Sequence, residues 1–191
     1  MPRTENQYKE IRENRKKKIL NAALRLFAME GYHQTSISKI AKEAGISKGL
    51  LYNYFESKED LLLKVVEDAS ADVYKYFDPN HDGMLEQEEM KYFIHNVFRV
   101  FRENYEFWKL YLSMAFNPQV MELLKNNIPV ESENLIGVIN DYFKRRGVED
   151  PMSETIYFSS VLKGMAIQYI ITPEYFPLEM MEKKLIEQFC E

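Results

Sequence analysis

The sequence predicts an all-α protein of about nine helices. Three observations carry that expectation. Apolar residues recur at three- and four-residue spacing through nearly every segment, Gly, Pro and Asn or Asp interrupt the recurrence at intervals, and no stretch shows the strict alternation of a half-buried strand. At 191 residues the chain has room for one or two modest domains. No apolar run approaches the roughly 18 to 20 residues of a membrane span, and the N-terminal residues lack the apolar core of a signal peptide. A cytoplasmic protein with no membrane partner is expected. One cysteine, Cys190, excludes an intramolecular disulfide and a cysteine-based zinc site.

The first helix is expected over 12–29, where Ile19, Leu20, Ala23, Leu24 and Phe27 share a face and Gly31 supplies the stop. Thr35 or Ser36 opens a short second helix carrying Ile37, Ile40 and Ala41, which Gly45 ends. Ser47 then caps a third short helix over 47–54, with Leu51 and Phe55 on one face and Lys48, Gly49, Tyr52 and Asn53 left outward. Ser57 and Asp60 have the spacing of a capping box and open a helix through Leu61, Leu62, Val65 and Val66 to about Phe77. Beyond the break at Asp78–Gly83, helices are expected near 87–104, 106–116, 118–126, 132–146, 153–171 and 178–189, with Pro118, Pro129, Gly147, Pro151, Pro173 and Pro177 at the joints.

Charge is unevenly placed along this framework. Residues 1–60 hold 12 Lys and Arg against 8 Asp and Glu, whereas the remainder holds 13 against 22, within a net charge of −5. Phosphate affinity follows the local field and not the net charge, so a basic head on an acidic body suits a polyanion-binding module. A solvated basic tail is the competing reading of the cluster Arg12, Arg15, Lys16, Lys17 and Lys18.

Two short helices joined by a tight glycine turn have the geometry of a DNA-reading unit, in which one helix braces on the backbone and the next enters the major groove. Lys48 and Tyr52 reach for phosphates, Gly49 permits close backbone approach, and Asn53 offers a donor and an acceptor to a base edge. An ordinary small-helix corner has the same shape. Residues 15–62 nevertheless contain Leu26-Phe27, Gly31-Tyr32, Thr35, Ile40-Ala41, Ala44-Gly45-Ile46-Ser47-Lys48-Gly49, Leu51-Tyr52, Tyr54-Phe55 and Ser57-Lys58-Glu59. This stretch resembles the N-terminal signature of the tetracycline-repressor (TetR) family of bacterial transcription regulators. The resemblance implies a helix-turn-helix domain over 1–57 and a helical regulatory and dimerisation domain over 58–191. It also implies a homodimer whose two recognition helices enter successive major grooves of a palindromic double-stranded operator. Carried over by position, Thr35, Tyr52 and Lys58 hold phosphates, Ser47 opens the recognition helix, and Lys48, Gly49, Leu50, Asn53 and Tyr54 lie nearest the bases. Leu50 stands where many members have a small hydroxyl residue and Tyr54 where His is frequent. An apolar contact from Leu50 to a thymine methyl fits the first departure.

The resemblance fades after about residue 62, and there a second motif begins. Residues 78–89, Asp-Pro-Asn-His-Asp-Gly-Met-Leu-Glu-Gln-Glu-Glu, fit the EF-hand calcium loop in full. A hard cation wants six to eight oxygens. Asp78, Asn80 and Asp82 supply side-chain oxygens, Met84 its carbonyl, Glu86 a direct or water-mediated contact and Glu89 a bidentate carboxylate, with Gly83 at the sharp turn. Calcium is therefore the expected cofactor, with no organic one. The alternative is an acidic connector in which Glu86, Glu88 and Glu89 favour the N-terminus of the next helix.

Aromatic residues crowd 92–116. Phe101, Tyr105, Trp108 and Tyr111 are the candidates to line a pocket for a small apolar or aromatic effector, with plain core packing as the competing reading. Segments 153–171 and 178–189 suit a dimer interface or, equally, an internal core. His33, His81 and His95 are scattered without a Ser or Cys partner, and no phosphate loop, dinucleotide glycine motif or nucleophile elbow occurs, so an enzyme is not expected. The sequence points to a dimeric DNA-binding regulator, a repressor, responsive to an effector that calcium is a candidate to be. A calcium-binding signalling or buffering module whose helix-turn-helix is incidental is the alternative.

Overall fold

The computed structural model describes residues 5–75, 82–115, 117–126 and 130–191. Among them run ten helices and no strand: α1 (Glu5–Glu30), α2 (Ile37–Glu43), α3 (Lys48–Tyr52), α4 (Lys58–Lys75), α5 (Gln87–Glu103), α6 (Tyr105–Ala115), α7 (Pro118–Lys125), α8 (Val130–Arg145), α9 (Pro151–Ile171) and α10 (Leu178–Cys190). The fold class is all-α, as the periodicity required.

The chain divides into two compact units. The first, Met1–Ala69 with Lys109–Lys125, takes in the helix-turn-helix segment, the first part of α4, most of α6 and α7. A cut at residue 57 would split its core, because Leu61, Leu62 and Val65 of α4, with Leu110, Met114 and Val120, pack with Phe27, Ile40, Leu51 and Phe55. The second unit, Ser70–Trp108 with Asn126–Glu191, is built on α5, α8, α9 and α10. Phe143, Phe158 and Phe189 bring α8, α9 and α10 together there, with Phe158 and Phe189 edge to face at 5.0 Å between ring centroids. Tyr142 Oη and Arg146 Nη1 both donate to the Phe189 carbonyl, at 3.0 and 2.7 Å, and satisfy an orphan acceptor at the end of α10.

α1 and α9 start earlier than the sequence expectation for local reasons. α1 begins at Glu5 and not near residue 12, because 5–18 lacks glycine and proline and an acidic residue stands in its first turn. α9 begins at Pro151: Asp150 caps it by accepting from the Ser153 amide at 3.1 Å, and proline is well suited to the first helical position. No described helix is long and apolar enough to cross a membrane.

Candidate nucleic-acid interface

The helix-turn-helix is held together by its caps. At the end of α2 the Ile46 amide donates to Ala41 O at 2.9 Å and the Gly45 amide to Lys42 O at 3.1 Å, the paired bonds of a Schellman turn. That turn puts Gly45 at φ +69°, where a side chain is strained. The Ser36 hydroxyl accepts from the Lys39 amide at 3.2 Å and opens α2, and Ser47 accepts from the Leu50 amide at 3.1 Å and opens α3. Leu51 and Phe55 anchor α3 in the first core, at 0% and 1% exposure. What α3 leaves outside is Lys48, Gly49, Tyr52 and Asn53, all exposed. A Cβ on Gly49 would meet no protein atom within 4 Å, so the space glycine leaves there opens outward.

Leu50 and Tyr54 are half-buried, and Tyr54 packs on the core. Tyr54 also carries the Arg12 guanidinium over its ring, with the guanidinium carbon 5.2 Å from the centroid. The sequence reading missed Arg12 as a neighbour of α3. The i, i+3, i+4 spacing of basic residues along α1 was the available signal.

Thr35 is not where a phosphate contact belongs. Its side chain is 1% exposed, and the hydroxyl donates to Gly31 O at 2.9 Å and Leu26 O at 3.2 Å, tying the start of α2 to the end of α1. Lys58 is half-buried and part of a clamp. Its ammonium stands 4.4 Å from the Tyr32 ring centroid and donates to His33 O at 3.3 Å, leaving two of its three donors. Burial lowers the Lys58 pKa from its ordinary value, with neighbouring Glu59 opposing. Tyr32 Oη donates to Glu59 Oε1 at 3.0 Å, and burial, then that bond, push the phenol pKa well up. On the other side of the same turn, Asn117 Nδ2 donates to His33 Nε2 at 2.8 Å. The α1–α2 turn is thereby fastened both to the start of α4 and to the joint before α7.

Of the calcium-loop residues, Asp78 and Asn80 lie outside the described residues, and Asp82, Met84, Glu86 and Glu89 lie within them. Asp82 Oδ1 accepts from the Met84 amide at 2.8 Å, and Gly83 has φ +74°. Glu89 Oε2 accepts from the Glu86 amide at 2.9 Å, which closes the N-terminus of α5. Leu85 is buried and its carbonyl accepts from Arg145 Nη2 at 2.8 Å. No group of three or more His, Cys, Asp or Glu among the described residues is placed to hold a metal.

In the second unit, Phe101 is buried and meets Trp108 edge to face at 4.7 Å between centroids. Tyr169, which the sequence reading did not single out, stacks on Phe101 at 6.4 Å and meets Tyr105 at 6.2 Å. Tyr105 Oη donates to Ile170 O at 3.0 Å. These three candidates are thus brought into one aromatic cluster, and the side chain of Tyr111 lies outside the described residues.

Two short helices joined by a capped glycine turn, with an exposed Lys-Gly-Tyr-Asn face on the second, have the geometry of a helix-turn-helix unit. Residues 19–65 match the family model of the bacterial regulatory proteins, tetR family. The HTH-type transcriptional regulator YerO of Bacillus subtilis (strain 168) is 36% identical over 112 residues, covering 57% of this chain and 39% of YerO. The chain thus spans about two-fifths of the length of that relative. Among solved structures, the fatty acid degradation regulator FadR from Bacillus halodurans superposes with a TM-score of 0.75 at 20% identity, over 92% of this chain and 94% of that one. FadR from Bacillus subtilis in complex with stearoyl-CoA gives 0.74 at 18% identity, over 91% and 97%. The whole chain has the TetR-like fold, an N-terminal helix-turn-helix domain followed by a helical domain.

Proposed function

We propose that the protein is a dimeric transcriptional repressor that binds a palindromic operator through α3 and releases or tightens it in response to an effector. The observation that carries this reading is the α3 face: Lys48, Gly49, Tyr52 and Asn53 are exposed on a helix whose other side, Leu51 and Phe55, is locked in the core. The match of 19–65 to the tetR family supports it. Dimerisation through α9 and α10 is supported by exposed apolar side chains on both, Ile156 at 59% and Met180 at 56% among them. The test is selection of duplexes from a random pool by the full chain, followed by anisotropy titration of the winner. A palindromic winner whose affinity drops about ten-fold or more with Asn53→Ala supports the reading, a loss of 1.4 kcal/mol or more for one base-edge contact. No enriched sequence refutes it.

For the effector we propose calcium at 78–89. The full ligand pattern supports it, as does Gly83, whose φ of +74° is the backbone an EF-hand loop asks of its sixth residue. Metal would draw the Glu89 carboxylate away from the Glu86 amide, and so act on the start of α5. Calcium titration by calorimetry, with magnesium as competitor and Asp78→Ala as control, decides it. No heat at millimolar calcium removes the metal and leaves an apolar ligand in the aromatic second unit as the effector to test. The stearoyl-CoA bound by the Bacillus subtilis FadR makes acyl chains the first ligands for that test.

A further inference from the structure

The N-terminal half of α1 is a helix with almost nothing to bury. From Asn6 to Lys18 every residue is exposed except Ile11 and Lys16, which are half-buried, and the apolar face of α1 starts only at Ile19. Such a stretch is marginal as a helix on its own. At 100° per residue, Lys9, Arg12, Arg15 and Lys16 fall within an arc of about 120°, and Glu10 and Glu13 fall outside it. Lys17 and Lys18 point elsewhere on the wheel. The direction of the basic arc is fixed by Arg12, whose guanidinium lies over Tyr54 just past the end of α3.

Three further cations of the domain are engaged within the protein. Arg25 is paired with Glu43, Lys39 with Glu30 at 2.6 Å, and Lys58 with Tyr32 and His33. Lys9, Arg15 and Lys16 have no carboxylate partner among the described residues. A row of four cations about 10 Å long beside a base-reading helix is complementary to duplex phosphates and to little else in that position.

We infer that this face of α1 is a second DNA-contacting surface, and that it holds the phosphate backbone flanking the base pairs α3 meets. The inference rests on the operator-binding reading above and adds to it a set of sequence-independent contacts that lengthen the footprint. Arg12 bridges the two surfaces, stacked on Tyr54 with its five N–H donors at the rim of the ring.

The experiment compares the full chain with two double variants that remove equal charge, Arg12→Ala/Arg15→Ala on the arc and Lys17→Ala/Lys18→Ala off it. Each is titrated by anisotropy against the selected operator, once trimmed to its palindrome and once extended by six base pairs of arbitrary sequence at each end. The wild type binds the extended duplex more tightly, and Arg12→Ala/Arg15→Ala abolishes that gain. Its slope of log affinity against log salt falls by about 3.6 for four lost contacts in a dimer, at about 0.9 each, and it binds about ten-fold or more weaker at 0.1 M salt. Preference among base changes inside the palindrome stays as in the wild type. An equal loss in the two double variants, or no gain from the flanks, overturns the inference while leaving operator binding intact. A wild type that selects no sequence at all overturns the operator reading itself and this inference with it.

Discussion

Thr35→Val separates two roles that one residue cannot fill at once. The substitution keeps the shape and the β-branch but deletes the hydroxyl that donates to Gly31 O and Leu26 O at 2.9 and 3.2 Å. Both carbonyls sit at the end of α1, and Thr35 is 1% exposed, so water does not replace the lost donor. Leaving buried acceptors short of a partner costs about 1–2 kcal/mol. With a urea m-value of about 2 kcal/mol/M, the unfolding midpoint falls by roughly 0.5–1 M. Circular dichroism during urea titration measures it, and the m-value is expected to stay unchanged. On DNA, the affinity of the folded Thr35→Val variant is expected to equal that of the wild type, because no phosphate contact is removed. Tyr52→Phe is the mirror case: an exposed hydroxyl, no effect on the midpoint, and a lower DNA affinity. An unchanged midpoint for Thr35→Val, together with an operator affinity about ten-fold or more lower, would refute the structural assignment and restore Thr35 to the phosphate backbone.

Gly45→Ala is expected to destabilise the first unit by about 1–2 kcal/mol through backbone strain alone, since its Cβ meets nothing within 4 Å and φ is +69°. Gly45→Asn, better tolerated at such a φ, is expected to recover part of that loss in the same urea titration. Cys190 is buried, and burial raises its thiol pKa above the usual 9.0. The neutral thiol is favoured in the fold, so its contribution to stability is present below the ordinary thiol range and is lost as pH rises above it. Alkylation by iodoacetamide at pH 8 is expected to be slow in the native protein and fast in urea. Equal rates in the two states would show that the end of α10 is open.

The fold was legible because its signals are local. Helix periods, serine caps and glycine stops placed α2, α3 and α4 from a few residues each, and the structure adds only the hydrogen bonds that execute them. The site was legible in part. The inward Leu51 and Phe55 fix by elimination which residues of α3 point out, a matter of helical spacing. What spacing did not tell is which polar side chains are already spent within the protein. Thr35 and Lys58 look available in one dimension, and only the return of the chain brings Leu26 O, Tyr32 and His33 against them. The start of α1 was missed for the opposite reason. Periodicity detects a buried face, and residues 5–18 have none to detect.

α3 is five residues long, too short to hold its own shape in water, so its aim depends on Ser47 at its start, Leu51 and Phe55 beneath it and the turn clamped by Thr35, Tyr32 and Lys58. On the proposed reading, changes in those supports would move all four exposed side chains together and weaken every duplex alike. Changes at Lys48 or Asn53 would leave the aim intact and alter which duplex is preferred. The clamp is also where the rest of the first unit reaches the reader, through Glu59 of α4 on one side and Asn117 before α7 on the other. On the proposed operator-binding reading, an effector that shifts α4 or the α6–α7 joint would therefore act first on affinity for all operators, and sequence preference would stay where α3 sets it.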